Sequence, residues 1–351
     1  MRQAQRALSK ALDEKGRARL LNSLSPEDRA WTRSCGGQGA GAWLNTAPSS
    51  EVERFTDGDF CAAVRTRLCQ EVSPPGIRCS NTHSTGPRAG EHCAEDLDTK
   101  GTHASICKVG GGVGRKHDAL VRLLGRLLRA AGYPVATDGP GTWEPRWDRP
   151  QLDRQGAQKR DADGNLLWEH ARLGLRLEGG PEEPTTYGDV VVSQARADSW
   201  VREAAAADGA AAKGAARRKR HRYPPEQVPG AKLVPFSVEA GGRWDSSSLN
   251  FLRRAAGRAS ERHPGLAALG GQGAAAVFSS WLGQLSCALQ KANVACLRSA
   301  GAGGSCPAPG ARPAAAASGG EDLEGADEDW LAEAVDELIR QAAASAATEL
   351  R

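Results

Sequence analysis

Cys79, Cys93, His103 and Cys107 supply three thiols and one imidazole within a single short segment. That is the donor set of a tetrahedral zinc site, and it falls in a stretch too short to bury a core of its own. His103-Ala-Ser-Ile-Cys107 sets two donors one helical turn, or one tight loop, apart. The 13 residues between Cys79 and Cys93 exceed the usual zinc-ligand gap of ~2–4, so scattered intracellular thiols stay the alternative. His83, His92 and His117 are reserve ligands. Cys35, Cys61, Cys69, Cys287, Cys296 and Cys306 read as ordinary thiols.

A second chemistry is electrostatic. The net charge of +4 conceals an asymmetry: residues 300–351 carry three basic and ten acidic side chains, a balance of −7. The other 299 residues carry 43 basic against 32 acidic, or +11, a footprint suited to DNA or RNA and equally to a solvated basic surface. Candidate phosphate contacts are Arg115 and Lys116, the row Arg122, Arg126 and Arg129, and the cluster Arg217, Arg218, Lys219 and Arg220. Gly110-Gly111-Gly112 lacks the Gly-Lys-Ser/Thr ending of a phosphate loop and reads as a turn. With no run of eighteen apolar residues and no secretory leader, membrane partners are not expected. Nine cysteines without a dense framework favour a reducing, intracellular compartment, and a nucleic-acid partner would make it nuclear.

The elements that must position these groups are legible in the periodicity. Residues 1–34 read as a helical arm, with Leu8, Leu12, Leu20, Leu21 and Leu24 at helical spacing and Ser25-Pro26-Glu27-Asp28 starting a second helix. Residues 35–78 form a connection with a short helix near Asp57–Leu68, and 79–117 a knuckle. From Asp118 to Ala131, Leu120, Leu123, Leu124, Leu127, Leu128 and Ala131 make one stripe, and the three arginines lie on the opposite face. Gly132 stops that helix, and Tyr133–Thr137 reads as a strand. Residues 139–170 read as a long loop or insertion. Arg172–Leu177 alternates, placing Leu173, Leu175 and Leu177 together, and Tyr187–Ser193 reads as a buried strand. An alanine-rich helix is expected over Asp198–Arg220, a strand over Lys232–Glu239, and helices near 246–262 and 274–299. The last carries Phe278, Trp281, Leu282, Leu285 and Leu289 on one stripe. Residues 300–320 are a low-complexity linker expected to be disordered, and 321–351 an acidic segment whose helix, Asp327–Ala343, turns Trp330, Leu331, Val335, Leu338 and Ile339 inward. Helices, strands and helices in this order describe an α/β protein.

One run resembles a known family. Asp98-Thr-Lys-Gly101-Thr-His103-Ala-Ser-Ile-Cys107, followed by the glycines and Arg115-Lys-His117-Asp-Ala-Leu120, is similar to a motif of non-LTR retrotransposon polyproteins. There it lies downstream of a reverse transcriptase and just before a restriction-like endonuclease domain. Gly41-Ala-Trp43-Leu44 with Phe60 and Arg65-Thr-Arg67-Leu68, Tyr187-Gly-Asp189-Val-Val-Val192, Lys219-Arg-His-Arg-Tyr223, Leu233–Glu239 and Gly242-Arg243-Trp244 resemble its other segments in the same order. The likeness spans about residues 38–300.

The resemblance implies a restriction-endonuclease-like mixed sheet flanked by helices over 118–299, structural zinc at the knuckle and Mg²⁺ at a nuclease site if that site is active. It maps the family's catalytic set onto Asp138, Asp189 and Lys219, while Gly174 stands where a strand acid is expected and Val191 where a lysine is common. Glycine offers no ligand atom, so phosphodiester hydrolysis is expected to be weak or absent. Tyr187-Gly-Asp189-Val190 is not the metal-binding pair of a polymerase, which makes an upstream reverse-transcriptase segment in a longer polyprotein the implied partner. The expectation is a nucleic-acid-binding protein with a degenerate endonuclease-like domain; an active Mg²⁺-dependent DNA endonuclease and a relic without function are the alternatives.

Overall fold

The computed structural model describes residues 2–48, 53–137, 146–151, 153, 155, 157–179, 184–224 and 231–302. Asp138, Cys306 and the helix expected at 327–343 lie outside the described residues.

Two helices open the chain, α1 (Arg2–Ser23) and α2 (Pro26–Ser34). The second begins because the Ser25 hydroxyl accepts from the Asp28 amide at 3.1 Å and Pro26 takes a position whose amide needs no partner. The second helix starts where the sequence places it, and the two pack differently. α1 leaves Leu8 and Leu12 exposed, whereas α2 buries Ala30 and Trp31. The difference is chemical: Ser34 Oγ accepts from the Gly241 amide at 3.1 Å, and Arg196 pairs with Asp28 at 2.8 Å while covering the Trp31 ring. α3 (Asp57–Arg67) follows, then the short α4 (Thr102–Ile106) and α5 (Gly112–Ala130).

A four-stranded sheet forms from β1 (Val135–Thr137), β4 (Leu175–Leu177), β5 (Thr186–Ser193) and β6 (Lys232–Glu239), in that order across the sheet. β1–β4 and β4–β5 are antiparallel and β5–β6 is parallel. The segment expected to be a plain loop or insertion instead carries strands β2 (Arg146–Pro150) and β3 (Trp168–Arg172), paired as a separate two-stranded sheet. The alanine-rich helix is broken into α6 (Val201–Ala206) and α7 (Ala210–Arg222) by Gly209, which holds φ +72°. There Asp208 takes Arg33 at 2.6 Å, Arg17 at 2.8 Å and Arg243 at 3.3 Å, an anchor that a continuous helix would not present in this way. α8 (Ser246–Glu261), α9 (Pro264–Ala267) and α10 (Gly271–Ser299) complete the described chain.

The two sheet faces are chemically distinct. On one, Leu175, Leu177, Val190, Phe236 and Val238 meet the leucine stripe of α5 and the apolar faces of α8 and α10. Each fully buried leucine in that layer contributes about 1.5–3 kcal/mol relative to exposure. On the other, Ser237 Oγ donates to the Ala212 carbonyl at 2.7 Å, and buried Glu239 accepts from the Ala211 and Ala212 amides at 3.0 and 3.2 Å. A carboxylate thus serves the open amides at the start of α7. Burial nonetheless raises the Glu239 pKa.

Leu173 departs from the expected alternation. It packs with Tyr187 and Tyr223 on the α7 side, whereas Leu175 and Leu177 belong to the main core. The chain bends at Gly174 as it passes from one sheet to the other, so the two-residue periodicity does not carry across it.

Candidate metal centre, buried carboxylate and basic groove

The wide gap between Cys79 and Cys93 is a hairpin in all but name. Leu97 donates to the Ile77 carbonyl at 2.8 Å, Cys79 to Glu95 at 3.0 Å, Cys93 to Asn81 at 2.7 Å and His83 to Glu91 at 2.9 Å. These rungs set the first two cysteines across from each other. Asp98 prepares the other two donors: Oδ1 accepts from the Thr102 amide at 2.9 Å and Oδ2 from the His103 amide at 2.7 Å, opening α4. Gly101 permits the entry, since it holds φ +73° and a Cβ there would stand 2.4 Å from Leu297 Cδ2.

The four donor atoms lie within 4.8 Å of one another and could hold a metal ion. Sγ of Cys107 is 3.8 Å from those of Cys79 and Cys93, and His103 Nε2 is 3.6 Å from Cys93 Sγ. Among the described residues this is the one such group, and His83, His92 and His117 stand outside it. The other thiols described form no disulfide, and burial pushes Cys35 and Cys287 up to about 12, consistent with inert packing.

Lys116 takes a role other than phosphate contact. It is 3% exposed, and its ammonium donates to the Ser105 carbonyl at 3.1 Å, Ser105 Oγ at 3.0 Å and Asn293 Oδ1 at 3.2 Å. Helical phase explains this: Lys116 lies on the buried stripe of α5, four residues before Leu120. Burial lowers its pKa. The knuckle is also fixed to α10 through Ser80, whose amide and hydroxyl donate to the Ala300 and Ser299 carbonyls at 3.0 Å.

Of the three expected catalytic residues, two converge. Lys219 Nζ, from the end of α7, lies 2.5 Å from Oδ2 of Asp189 on β5, and Asp189 is only 3% exposed. The contact is an ion pair without hydrogen-bond alignment. His117 joins from α5, its Nε2 3.9 Å from Asp189 Oδ1 and its Nδ1 3.0 Å from Asp118 Oδ1. Burial alone would lower the His117 pKa, but the two carboxylates outweigh it and raise it. His117 is a site residue that ligand counting assigned to the wrong cluster, and only its place in the Arg-Lys-His-Asp run pointed here.

Gly174 does not leave a vacant ligand position. A Cβ at this glycine would lie 2.6 Å from Val121 Cγ2 and 3.5 Å from His117 Cε1, so the space is taken by α5. A side chain there would point at α5, toward Val121 and His117.

The arginines of α5 line a groove of ≈ 910 Å³ between α5 and α10. Arg115, Arg122, Arg126 and Arg129 face Lys291 and Arg298 across a floor that includes Leu123, Ala288, Ala292 and Ala295. Burial, then the neighbouring Arg122 charge, lowers the Arg126 pKa. The α10 wall was missed because that helix was read for its apolar stripe; the signal was the alanine face at positions 288, 292 and 295 beside Lys291 and Arg298.

The second basic cluster is separate. α7 covers the opposite sheet face, where Arg218 stacks on Trp200, Arg220 donates to Ser247 and Lys219 turns inward to Asp189. The two basic clusters therefore lie on different layers of the fold.

No protein-family model matches the chain, and no curated protein matches it. Among the described residues, no helix is long and apolar enough to cross a membrane.

Proposed function

We propose that this chain is a nucleic-acid-binding protein of retroelement type, built on a zinc-held knuckle and a restriction-endonuclease-like sheet whose nuclease site is degenerate. The observation that carries the reading is the groove between α5 and α10, where seven basic residues, the inward-turned Lys116 among them, line one ≈ 910 Å³ cleft together with Asp59. The run of α5, β1, β4, β5, α7 and β6 supports the fold assignment by element order.

Zinc fits the knuckle on bond lengths. Tetrahedral thiolates at ~2.3 Å from zinc stand about 3.8 Å apart, and a thiolate and an imidazole nitrogen about 3.6 Å apart. Two thiol–thiol separations are 3.8 Å, one thiol–imidazole separation is 3.6 Å, and all the donor atoms lie within 4.8 Å of one another. When bound, zinc would supply folding energy, since its ligands come from a segment with little core of its own. Cys79, Cys93, His103 and Cys107 would hold it.

Magnesium does not fit equally well. Within the described residues, Asp189 is the buried carboxylate of the cluster, and its charge is already answered by Lys219. The reading therefore includes no metal-dependent cleavage step, and nucleic-acid binding is the activity that remains.

The test is fluorescence anisotropy with labelled single- and double-stranded DNA and RNA across a salt series. Neutralising three phosphates contributes about 2–3 to the salt slope, so Arg122→Ala/Arg126→Ala/Arg129→Ala should weaken binding and flatten that slope by this amount. Binding that ignores salt, or that survives the triple change intact, overturns the groove as the site.

A further inference from the structure

The groove has a property that phosphate binding does not use: an apolar floor. Leu123 on α5 faces Ala288, Ala292 and Ala295 on α10, and the alanines keep the cleft open along its length. A polyanion would satisfy the rim and leave that floor bare. A ligand matched to both would carry an apolar ridge bordered by carboxylates.

The chain contains such a ligand. Trp330, Leu331, Ala334, Val335 and Leu338 recur at helical spacing, and Asp327, Glu328, Asp329, Glu333, Asp336 and Glu337 flank them. The described residues end at Ala302, four positions beyond Arg298, itself part of the groove wall. About 24 residues separate that point from Asp327, a reach of up to ~80 Å when extended. Helix α5, with 19 residues, is only about 29 Å long. Tethering raises the local concentration of the segment to about the millimolar range.

We propose that residues 327–339 of the chain's own acidic segment dock in the groove between α5 and α10, Trp330 on the alanine floor and the carboxylates against Arg122, Arg126, Arg129 and Lys291, and so compete with nucleic acid. The competition rests on the nucleic-acid reading; the docking does not. An acidic residue already tests the complementarity of this wall, since Asp59 pairs with Arg298 at 2.9 Å at the edge of the same cleft.

The experiment uses the full chain without nucleic acid. A zero-length carbodiimide joins an amine only to a carboxylate in contact, and peptide mapping of the monomer should find Lys291 coupled to acids between 327 and 337. Trp330→Ala/Leu331→Ala should lose that product. Coupling spread evenly over Lys10, Lys15 and Lys213, with none favouring Lys291, overturns the docking. In the second arm, Asp329→Asn/Glu333→Gln/Asp336→Asn/Glu337→Gln should bind DNA about tenfold more tightly at low salt, because an intramolecular competitor has been removed. Unchanged affinity beside an intact Lys291 crosslink overturns the competition alone. If no variant binds nucleic acid while the crosslink persists, the nucleic-acid reading falls and the docking stands.

Discussion

The knuckle gathers its polar side chains from one short segment and the Asp189 cluster from distant parts of the chain, and the two differ in what they leave unanswered. Cys79, Cys93, His103 and Cys107 are four donors of one kind, converging within 4.8 Å. With the thiols deprotonated and the imidazole neutral, each can give a lone pair to one ion, so the group could hold a metal. Asp189, Lys219 and His117 include both signs, and the acid lies 2.5 Å from the amine. That cluster answers its own charge. Converging lone-pair donors leave room for a cation between them, whereas a carboxylate and an ammonium in contact fill their own space.

The largest expected effect falls on the knuckle. Chelation, or Cys107→Ser, should release about one metal equivalent per chain. Hydrogen exchange should then show loss of protection over 72–107 while β5 and β6 stay protected. A knuckle equally protected without metal would break the contrast with the Asp189 cluster, because the four donors would then be satisfied internally.

Next comes Lys116→Met, which deprives the Ser105 carbonyl and Asn293 of their buried donor. The expected cost is about 1–3 kcal/mol in denaturant unfolding. The salt slope for nucleic acid should not change, since this amine faces inward; a slope reduced by about 1 would return Lys116 to the phosphate contacts.

Gly174→Asp sharpens the other side of the comparison. With Val121 Cγ2 in the way, the substitution should destabilise by about 1–3 kcal/mol and yield no DNA nicking with Mg²⁺ or Mn²⁺. Adding Val121→Ala should recover much of the stability. Robust nicking by the unaltered chain, abolished by Asp189→Ala, would show that the self-neutralised cluster is catalytic after all.

The smallest effect is a pH dependence. His117 has a raised folded-state pKa, so its contribution to stability is fully present below the ordinary histidine value and is lost as pH rises through the raised one. His117→Gln should flatten that part of the stability–pH curve while leaving the acid limb alone. A curve unchanged by the substitution would remove the histidine from the cluster.

What the sequence disclosed follows what periodicity and spacing can carry. The α5 stripe, β6, and the Phe278–Leu289 stripe of α10 are where their patterns put them, because each is a regular element with one buried face. The four knuckle donors were named from residue type alone, and the structure brings them together. Three features were illegible for physical reasons. The bend at Gly174 switches Leu173 to the other sheet face, which no two-residue pattern can announce. The phase that buries Lys116 is local, but the acceptors that hold its ammonium, Ser105 and Asn293, lie eleven and 177 positions away. The opposite placement of the two basic clusters depends on which sheet face each helix covers, a matter of chain crossing rather than of local sequence.

Lys116 has one more consequence. Its nitrogen is shared by the knuckle through Ser105 and by α10 through Asn293, and Asn293 in turn donates to the Ala240 carbonyl at 2.8 Å, just past the end of β6. Helix α5, which carries Lys116, forms one bank of the groove, and α10 forms the other. An ion seated in the knuckle and a polyanion seated between the banks therefore act on the same strut. Whatever factor the first exerts on the affinity of the second must be returned in equal measure, so metal uptake measured with and without nucleic acid reads the stiffness of that strut.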